Sequence, residues 1–479
     1  MDLRSLPRPT GRPRFSQEGR GLAVHTPLGP DALLLQGLTG TEAVSELYRF
    51  DLDLLAEVAR GDVPFEKVLG QPVSVLLRRT DGEPRQINGI VSRFAQGPQV
   101  RGVHGTATFV RYKATVVPRL WLATRRAQSR IFQQQTVPDI LKAVLGEVHA
   151  DPKPVFKLVG RYEPRDYCVQ YRETDFAFAS RLMEEEGIFY YWTHAAGKHT
   201  LVVADHPQGH PDLPAPAGLI YDTDLGGVRP EHRVYGWEKR QEIRTGTHTL
   251  WDHCFELPHQ SLEASRAVPP TVTVGRVAHD LRAGGADRLE AYDFPGGYAQ
   301  RFDGVDPGGT DRPADVGKVW QDNERTAKLR AEAEAARALT VAGTSDCRHL
   351  TAGHQFSLSG HFNADGKYTL TRVTHRATMG SAYVPAADGE PHYENTFECV
   401  PAGLPWRPER ATPRPVIGGT QTAEVVGPAG EEIFTDKYGR VKVQFFWDRQ
   451  GKRDANSSCW VRVSQAHAGK GWGGIDVPR

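Results

Sequence analysis

The sequence predicts a mainly β protein with some α, divided into several domains. Three observations carry this reading. The chain has 479 residues, which ordinary domain sizes divide into about three. Its 49 glycines and 34 prolines supply turns for many short strands. Several segments alternate apolar and polar residues with a period of two, the mark of half-buried strands. Hydrophobic content of 39% and charged content of 24% are globular values and argue against global disorder. A chain this long can bury ample core without disulfides or metals.

Residues 1–21, rich in Pro, Gly and Arg, read as a loose arm, with order starting near Gly21. Residues 22–125 read as strands in a barrel or sandwich. In Leu47–Leu55, Tyr48, Phe50, Leu52 and Leu54 face one way and Arg49, Asp51 and Asp53 the other. Val73–Leu77, Gln86–Phe94 and Thr106–Val117 are further strands, with a turn at Asp81-Gly82. Residues 126–218 mix helix and strand. Val137–Val148 has helical apolar spacing with Pro138 in its first turn. A second helix runs from about Thr174, a good N-cap, to Glu186, and Gly187 closes it. Phe176, Ala179, Leu182 and Met183 form its apolar stripe. Ile188–Trp192 and Thr200–Ala204 make a hairpin. Residues 219–400 return to strands around one helix, Glu324–Leu339, rich in Ala, Glu, Arg and Leu. Gln355–Leu358 and Tyr368–His375 are strands again. Residues 401–418 hold five prolines and are expected to form an extended, mostly exposed linker.

Residues 419–479 suggest five short strands, the size of a small OB-type barrel. In Arg440–Trp447, Val441, Val443 and Phe445 are expected to face the core, with Lys442 and Gln444 toward solvent or a neighbouring chain. Phe446 breaks the alternation and is expected to contact another chain or a later segment, or to mark a bulge. Trp460–Val463 reads as another strand.

The chemistry of the residues points away from catalysis. No Walker A, H-E-x-x-H, G-x-S-x-G or S-x-x-K sequence is present. A net charge of +1 lacks the basic excess of a nucleic-acid binder. The five cysteines are scattered, without a C-x-x-C, which fits a reducing compartment and buried, inert thiols. His194, His199, His206 and His210, near Asp205 and Asp212, match no standard zinc spacing and read as exposed hairpin polarity. His248, His253, Cys254 and His259 are softer ligands, but adjacent residues on a strand point to opposite faces. Glu184, Glu185 and Glu186 end a helix, fan outward and read as a salt-bridged surface. Acids at a helix C-terminus oppose its dipole, so something unusual is expected to hold them. Aromatics beside Arg449, Lys452 and Arg453 in the small domain resemble a single-strand-binding pattern, although alternation assigns Phe445 and Trp447 to the core. No apolar run is long enough to span a bilayer and the N-terminus has no secretory signal pattern.

The residues also resemble a known family. GPAGEEIFTDKYGRVKVQFFWDRQGKRDANSSCWVRVSQAHAGKGWG, residues 427–473, looks like the OB-domain signature of VgrG proteins. YRETDFAFASRLMEEEGIFY at 171–190, EAYDFPGGY at 290–298, LTAGHQFSLSGHFNADGKYTLTRVTH at 350–375 and GGTQTAE at 418–424 match in the family's order. The chain is thereby identified as a VgrG-type spike of a type VI secretion system, similar to phage tail hub and spike proteins. The resemblance implies two tube-type β-barrel domains at 22–125 and 219–400, an α+β hub domain at 126–218 and an OB-fold domain at 419–479. It implies a homotrimer that caps a tube of Hcp subunits, meets sheath and baseplate components and carries effector, adaptor or tip proteins at its C-terminal side. It implies contact with the target membrane on firing and no specific nucleic acid. Assembly is expected in the cytoplasm, with export by the apparatus to the extracellular space or target cell. No catalytic residue, cofactor or metal is expected. The alternatives are a spike with hydrolase or toxin activity and a hub of a phage or tailocin. Family members continue beyond the OB barrel into a needle, so Arg479 is expected to mark a truncated chain or a spike without one.

Overall fold

The computed structural model describes residues 15–465 and the backbone of 467–469 and 472–474, apart from 61, 80–82, 104–106, 149–151, 196, 215–216, 225–231 and 386–388. Residues 1–14 of the expected arm, and the turn at Asp81-Gly82, lie outside the described residues. Six strands open the chain: β1 (Leu22–His25), β2 (Leu34–Ala43), β3 (Arg49–Glu57), β4 (Pro72–Leu77), β5 (Arg85–Arg101) and β6 (Thr108–Val117). They pair in the order β1-β4-β5-β6-β3-β2. Phe50, Leu52 and Leu54 are buried while Arg49 and Asp53 are exposed, as a period of two requires. Gly40 pairs with Phe50, and a Cβ at Gly40 would stand 2.0 Å from the ring, so only glycine lets the strands close there.

The two ends of this sheet are joined by a side chain. Gln17 donates through Nε2 to the carbonyls of Val24 and Leu33, each at 3.2 Å. Its Oε1 accepts from Val24 N at 2.9 Å and Leu35 N at 3.0 Å. One buried amide therefore does between β1 and β2 what a ladder does elsewhere. Order begins before Gly21, because this buried glutamine needs the chain around it fixed.

The next part packs on the first. β7 (Ala127–Gln135) pairs with β9 (Arg165–Thr174), and β8 (Val155–Lys157) runs parallel to β11 (Lys198–Ala204), which closes a hairpin with β10 (Phe189–Ala195). Helix α1 (Val137–Gly146) starts at Thr136, whose hydroxyl accepts from Asp139 N. Helix α2 (Asp175–Glu186) starts at Thr174, whose hydroxyl accepts from Ala177 N at 3.1 Å. Gly187 ends it at φ 66°, a left-handed conformation that glycine takes without strain. Ile140, Leu141, Val144, Phe178, Ala179 and Leu182 share one core with the first sheet.

The remaining strands of the body are β12 (Gly218–Tyr221), β13 (Arg233–Gln241), β14 (Thr247–Leu250), β15 (Ala264–Ala267), β16 (Thr271–Val274), β17 (Val277–Asp280), β18 (Glu290–Asp293), β19 (Leu339–Ser345), β20 (Gln355–Ser359), β21 (Gly366–Thr378) and β22 (His392–Pro401). The order β21-β20-β12-β13-β19-β22, with β22 returning to β21, closes a six-stranded barrel. Helices α3 (Pro313–Val316) and α4 (Val319–Ala338) come before β19, and α4 begins five residues earlier than its composition suggested. β21 is long enough to serve both sheets. Its residues 372–378 pair with β2, so all twelve strands form one continuous sheet.

The C-terminal part departs furthest from expectation. Ladders join β23 (Ala423–Val426) to β24 (Lys442–Phe445), and β25 (His467–Gly469) to β26 (Trp472–Gly474). Trp460–Val463 is not a strand; Val461 makes a single bridge to Val441. β24 ends at Phe445, so Phe446 sits in a turn, 66% exposed, rather than on the polar face of a strand. Val441 and Val443 are buried as expected, but so are Lys442 and Gln444. Lys442 Nζ donates to Ser458 O at 2.9 Å and lies 4.5 Å over the Trp460 ring, and these contacts replace the water that the alternation assigned to it. Segment 401–418 turns at 402–404 and then runs extended, held against the body as a strap rather than mostly exposed along its first half. Leu404 and Pro408 are buried, Trp406 packs edge-on against Phe189, and Arg407 Nη1 donates to Gly187 O at 2.9 Å. Within the described residues, no helix is long and apolar enough to cross a membrane.

Candidate functional site

The three glutamates at the end of α2 do not form a surface. Glu185 and Glu186 are buried, because α2 delivers them between β9, α4 and the strap. Arg165, at the start of β9, bridges both: Nη1 reaches Glu185 Oε2 at 2.7 Å and Nη2 reaches Glu186. Arg414 of the strap meets Glu185 Oε1 at 2.7 Å. Arg325 of α4 pairs with Glu186, and Arg301 lies 3.6 Å from Glu186 and 2.7 Å from Asp322 of α4. Glu184 accepts from the backbone and hydroxyl of Thr412 at 2.9 and 2.6 Å.

Burial alone would raise these carboxyl groups. For Glu186 the guanidiniums of Arg165, Arg301 and Arg325 outweigh it and hold the group down at about 2. Glu185 is held well below the carboxylate range by Arg165, Arg414 and Arg301 against the same burial. The unfavourable dipole at the end of α2 is thus met by arginines. An acid that is ionised, saturated with partners and buried cannot donate a proton to a substrate at neutral pH. The cluster is a junction of β9, α2, α4, the 299–301 turn and the strap.

A second buried junction lies between the two halves of the sheet. Arg85, at the start of β5, pairs with Glu42 of β2 and donates from Nη1 to Leu350 O at 2.6 Å and Arg348 O at 3.1 Å. His375 of β21 has Nε2 3.0 Å from Glu42 Oε1 and Nδ1 2.8 Å from the Tyr393 hydroxyl. Desolvation opposes the charge on Glu42, but Arg85 and His375 prevail and hold it at about 2. Burial holds His375 down at about 4, so it is neutral at pH 7.

A third junction docks the C-terminal part. Arg440 reaches Asp303 at 2.7 and 2.9 Å and Asp436 at 2.6 Å. Trp460 Nε1 donates to Asp306 O at 2.8 Å.

The histidines singled out in the sequence are not brought together as metal ligands. His194 and His199 face each other across the β10–β11 hairpin; His199 and His210 are buried, and His210 stacks on Phe189 at 4.3 Å. Hairpin polarity exposed to water is therefore the wrong description of His199 and His210, which are buried, while His194 and His206 are half-buried. His206 pairs with Asp205 at 3.0 Å. Cys254 packs with Leu250 and Leu262 in an apolar cluster. Sequence reasoning missed a different trio, His232, Cys347 and His349, whose ligand atoms lie within 4.8 Å of one another. The Cys-x-His spacing in one turn was a visible signal. His232 joins it only through the β13–β19 register, which pairs Val234 with Ser345.

A closed barrel, a second sheet of six strands continuous with it and buried polar junctions between the parts describe a scaffold of the phage-tail hub class. Comparison with known proteins agrees. The phage tail baseplate hub (GPD) family matches residues 41–381. Two Pseudomonas aeruginosa type VI secretion system spike proteins are similar over 97% of this chain: VgrG1b at 37% identity, with 58% of its length covered, and VgrG1c at 38%, with 59% covered. The chain thus spans less than two thirds of these relatives. An E. coli component of the type VI secretion system, described as structurally similar to bacteriophage T4 tail proteins gp27 and gp5, shares the fold with a TM-score of 0.58 at 21% identity, over 88% of each chain. The chain belongs to the phage tail baseplate hub family and, within it, to the VgrG spike proteins.

Proposed function

We propose that this chain is the hub and spike base of a type VI contractile injection apparatus. Three copies form a ring whose six barrels cap the Hcp tube, seated among sheath and baseplate components. The C-terminal part leads toward the effector, adaptor or tip protein, and the assembly is carried out of the cell into the target on firing. Its role is structural, not enzymatic. The observation that carries the reading is identity of 37% across 97% of the chain to a protein named as a spike. Seven relatives at 33–38% identity bear type VI names, which favours that setting over a phage or tailocin. The buried junctions support the mechanical side. Force passed through packed β structure requires parts that do not slide, and buried, mutually saturated charges resist sliding because each displaced ion loses its partners before water can reach it. The domain limits 22–125, 126–218, 219–400 and 419–479, with an OB barrel in the last, belong to the same proposal.

The test is functional. As the only spike gene in a strain stripped of its others, the full-length gene is expected to restore Hcp release into the medium, and the purified protein to sediment as a trimer. A monomer that leaves Hcp inside the cell would overturn the reading.

A further inference from the structure

The side chains of His232, Cys347 and His349 take no part in the junctions described above, although the carbonyls of Arg348 and Leu350 beside His349 accept from Arg85. It sits where β13 begins and β19 ends, at one rim of the closed barrel. Cys347 and His349 are buried and His232 half-buried, so an ion held by all three would be shielded. We propose that His232, Cys347 and His349 form a binding site for a soft divalent cation of the zinc class.

Several observations point to this chemistry. One thiol and two imidazoles are the ligand types that zinc takes, and three protein ligands with a fourth position left open is a known arrangement. Their ligand atoms already lie within 4.8 Å of one another. Cys347 Sγ is 3.2 Å from His349 Nδ1 and 3.5 Å from Nε2. Zinc bonds of about 2.3 Å to sulfur and 2.0–2.1 Å to nitrogen put such a pair about 3.6 Å apart in a tetrahedron. The near-equal distances place the sulfur over the imidazole face, so binding requires His349 to turn about its Cβ–Cγ bond. The His232 and His349 rings are 4.8 Å apart.

The backbone around the trio is held on several sides. Asn395 Nδ2 donates to Cys347 O at 2.9 Å, and Ser345 Oγ accepts from Cys347 N at 2.9 Å. Arg233 N, Nε and Nη2 all reach the Asp346 carboxylate at 3.0–3.2 Å, which locks the entry to β13 against the turn after β19. His232 itself stands at φ 90°, a conformation a non-glycine residue rarely takes and one that collects at functional positions. Two charges face the site. Arg85 opposes a cation and Asp346 favours one, and Arg85 is already engaged by Glu42 and two carbonyls.

The proton on the buried Cys347 thiol is the one that metal binding displaces. Binding replaces the S–H bond with an S–metal bond and releases one proton to solvent. The bound ion would staple β13 to the β19–β20 turn at the barrel rim.

Cobalt titration of the full chain tests the site, because a thiolate ligand gives Co²⁺ a charge-transfer band that imidazoles alone do not. The expected result is one equivalent of Co²⁺ with that band, displaced by Zn²⁺, and a higher unfolding midpoint with Zn²⁺ than after chelation. Cys347→Ser should abolish the band and Cys254→Ser should keep it. His232→Ala removes one of the three ligands and should weaken binding by at least about a hundredfold, since loss even of a group that only supports a ligand costs about 10–100-fold. Absence of the thiolate band in the wild-type chain, its persistence in Cys347→Ser, or binding of Cu⁺ without Co²⁺ or Zn²⁺ would overturn the proposal. The wild-type measurement decides even if a variant fails to fold.

Discussion

Replacing Arg165 with methionine removes the shared partner of Glu185 and Glu186 while keeping similar bulk. Glu186 falls from 4.5 to about 2 in the fold, a shift worth about 3 kcal/mol, to which Arg165 contributes first among the attractions. Breaking a buried pair by deleting one partner costs about 3–5 kcal/mol by a separate route. The shift is the net of three arginines against burial, so the deletion figure sets the scale, and Arg165→Met should destabilise the unit containing α2 by about 3 kcal/mol at neutral pH. At roughly 2–4 °C per kcal/mol the midpoint drops by about 6–12 °C. The pH dependence follows from the sign of the shift. A depressed carboxyl contributes its stability fully above its unfolded value of 4.5 and loses it as pH falls toward about 2. The gap between wild type and variant should therefore narrow over that window. Urea unfolding followed by tryptophan fluorescence at several pH values measures it. Arg161→Met is the control, since Arg161 pairs with Glu163 at 81% exposure and should change stability by less than about 0.5 kcal/mol. A gap under about 1 kcal/mol, or one that stays constant through acidification, would refute the reasoning.

Three further outcomes are expected. Gln17→Leu orphans the N–H groups of Val24 and Leu35, at about 1–3 kcal/mol each, and hydrogen exchange should rise in β1 and the start of β2 before it rises elsewhere. His194, His210, His354 and His375 are each held by burial at about 4 against an ordinary 6.5, so the folded state refuses protons that the unfolded chain takes. Stability should then fall as pH drops from 6.5 toward 4, read as a declining thermal midpoint at constant ionic strength. Arg440→Met abandons Asp303 and Asp436 and should speed protease cleavage in the strap without changing cleavage in the body; equal cleavage would show that Trp460 and its neighbours hold the C-terminal part alone.

Local structure was legible where one strand or helix decides its own fate. The β3 alternation, the Thr174 cap and the Gly187 stop are set by residues a few positions apart, and each stands where its pattern placed it. Errors came where a distant segment supplied what local chemistry lacked. Lys442 is polar by composition and buried in fact, because the Ser458 carbonyl and the Trp460 ring replace its water. Gln17 looked like part of a loose arm because nothing in its own neighbourhood shows that two strand ends lack a ladder. The strap was expected to be mostly exposed because its prolines announce extension, while the groups that hold it belong to α4 and to residues more than two hundred positions earlier.

The glutamate cluster was the hardest feature to see for the same reason. Three acids in a row look solvated, since the arginines that neutralise them come from β9, the 299–301 turn, α4 and the strap. The one local clue was electrostatic: acids placed at the end of a helix that should repel them. Such a conflict between a residue and its own element marks a position whose partner lies elsewhere in the fold. Here the partners come from every neighbouring layer, so no layer can shift without separating Glu185 or Glu186 from a cation inside a low-dielectric interior. That cost opposes sliding between the elements that meet at the cluster, which is the property the proposed hub role would draw on.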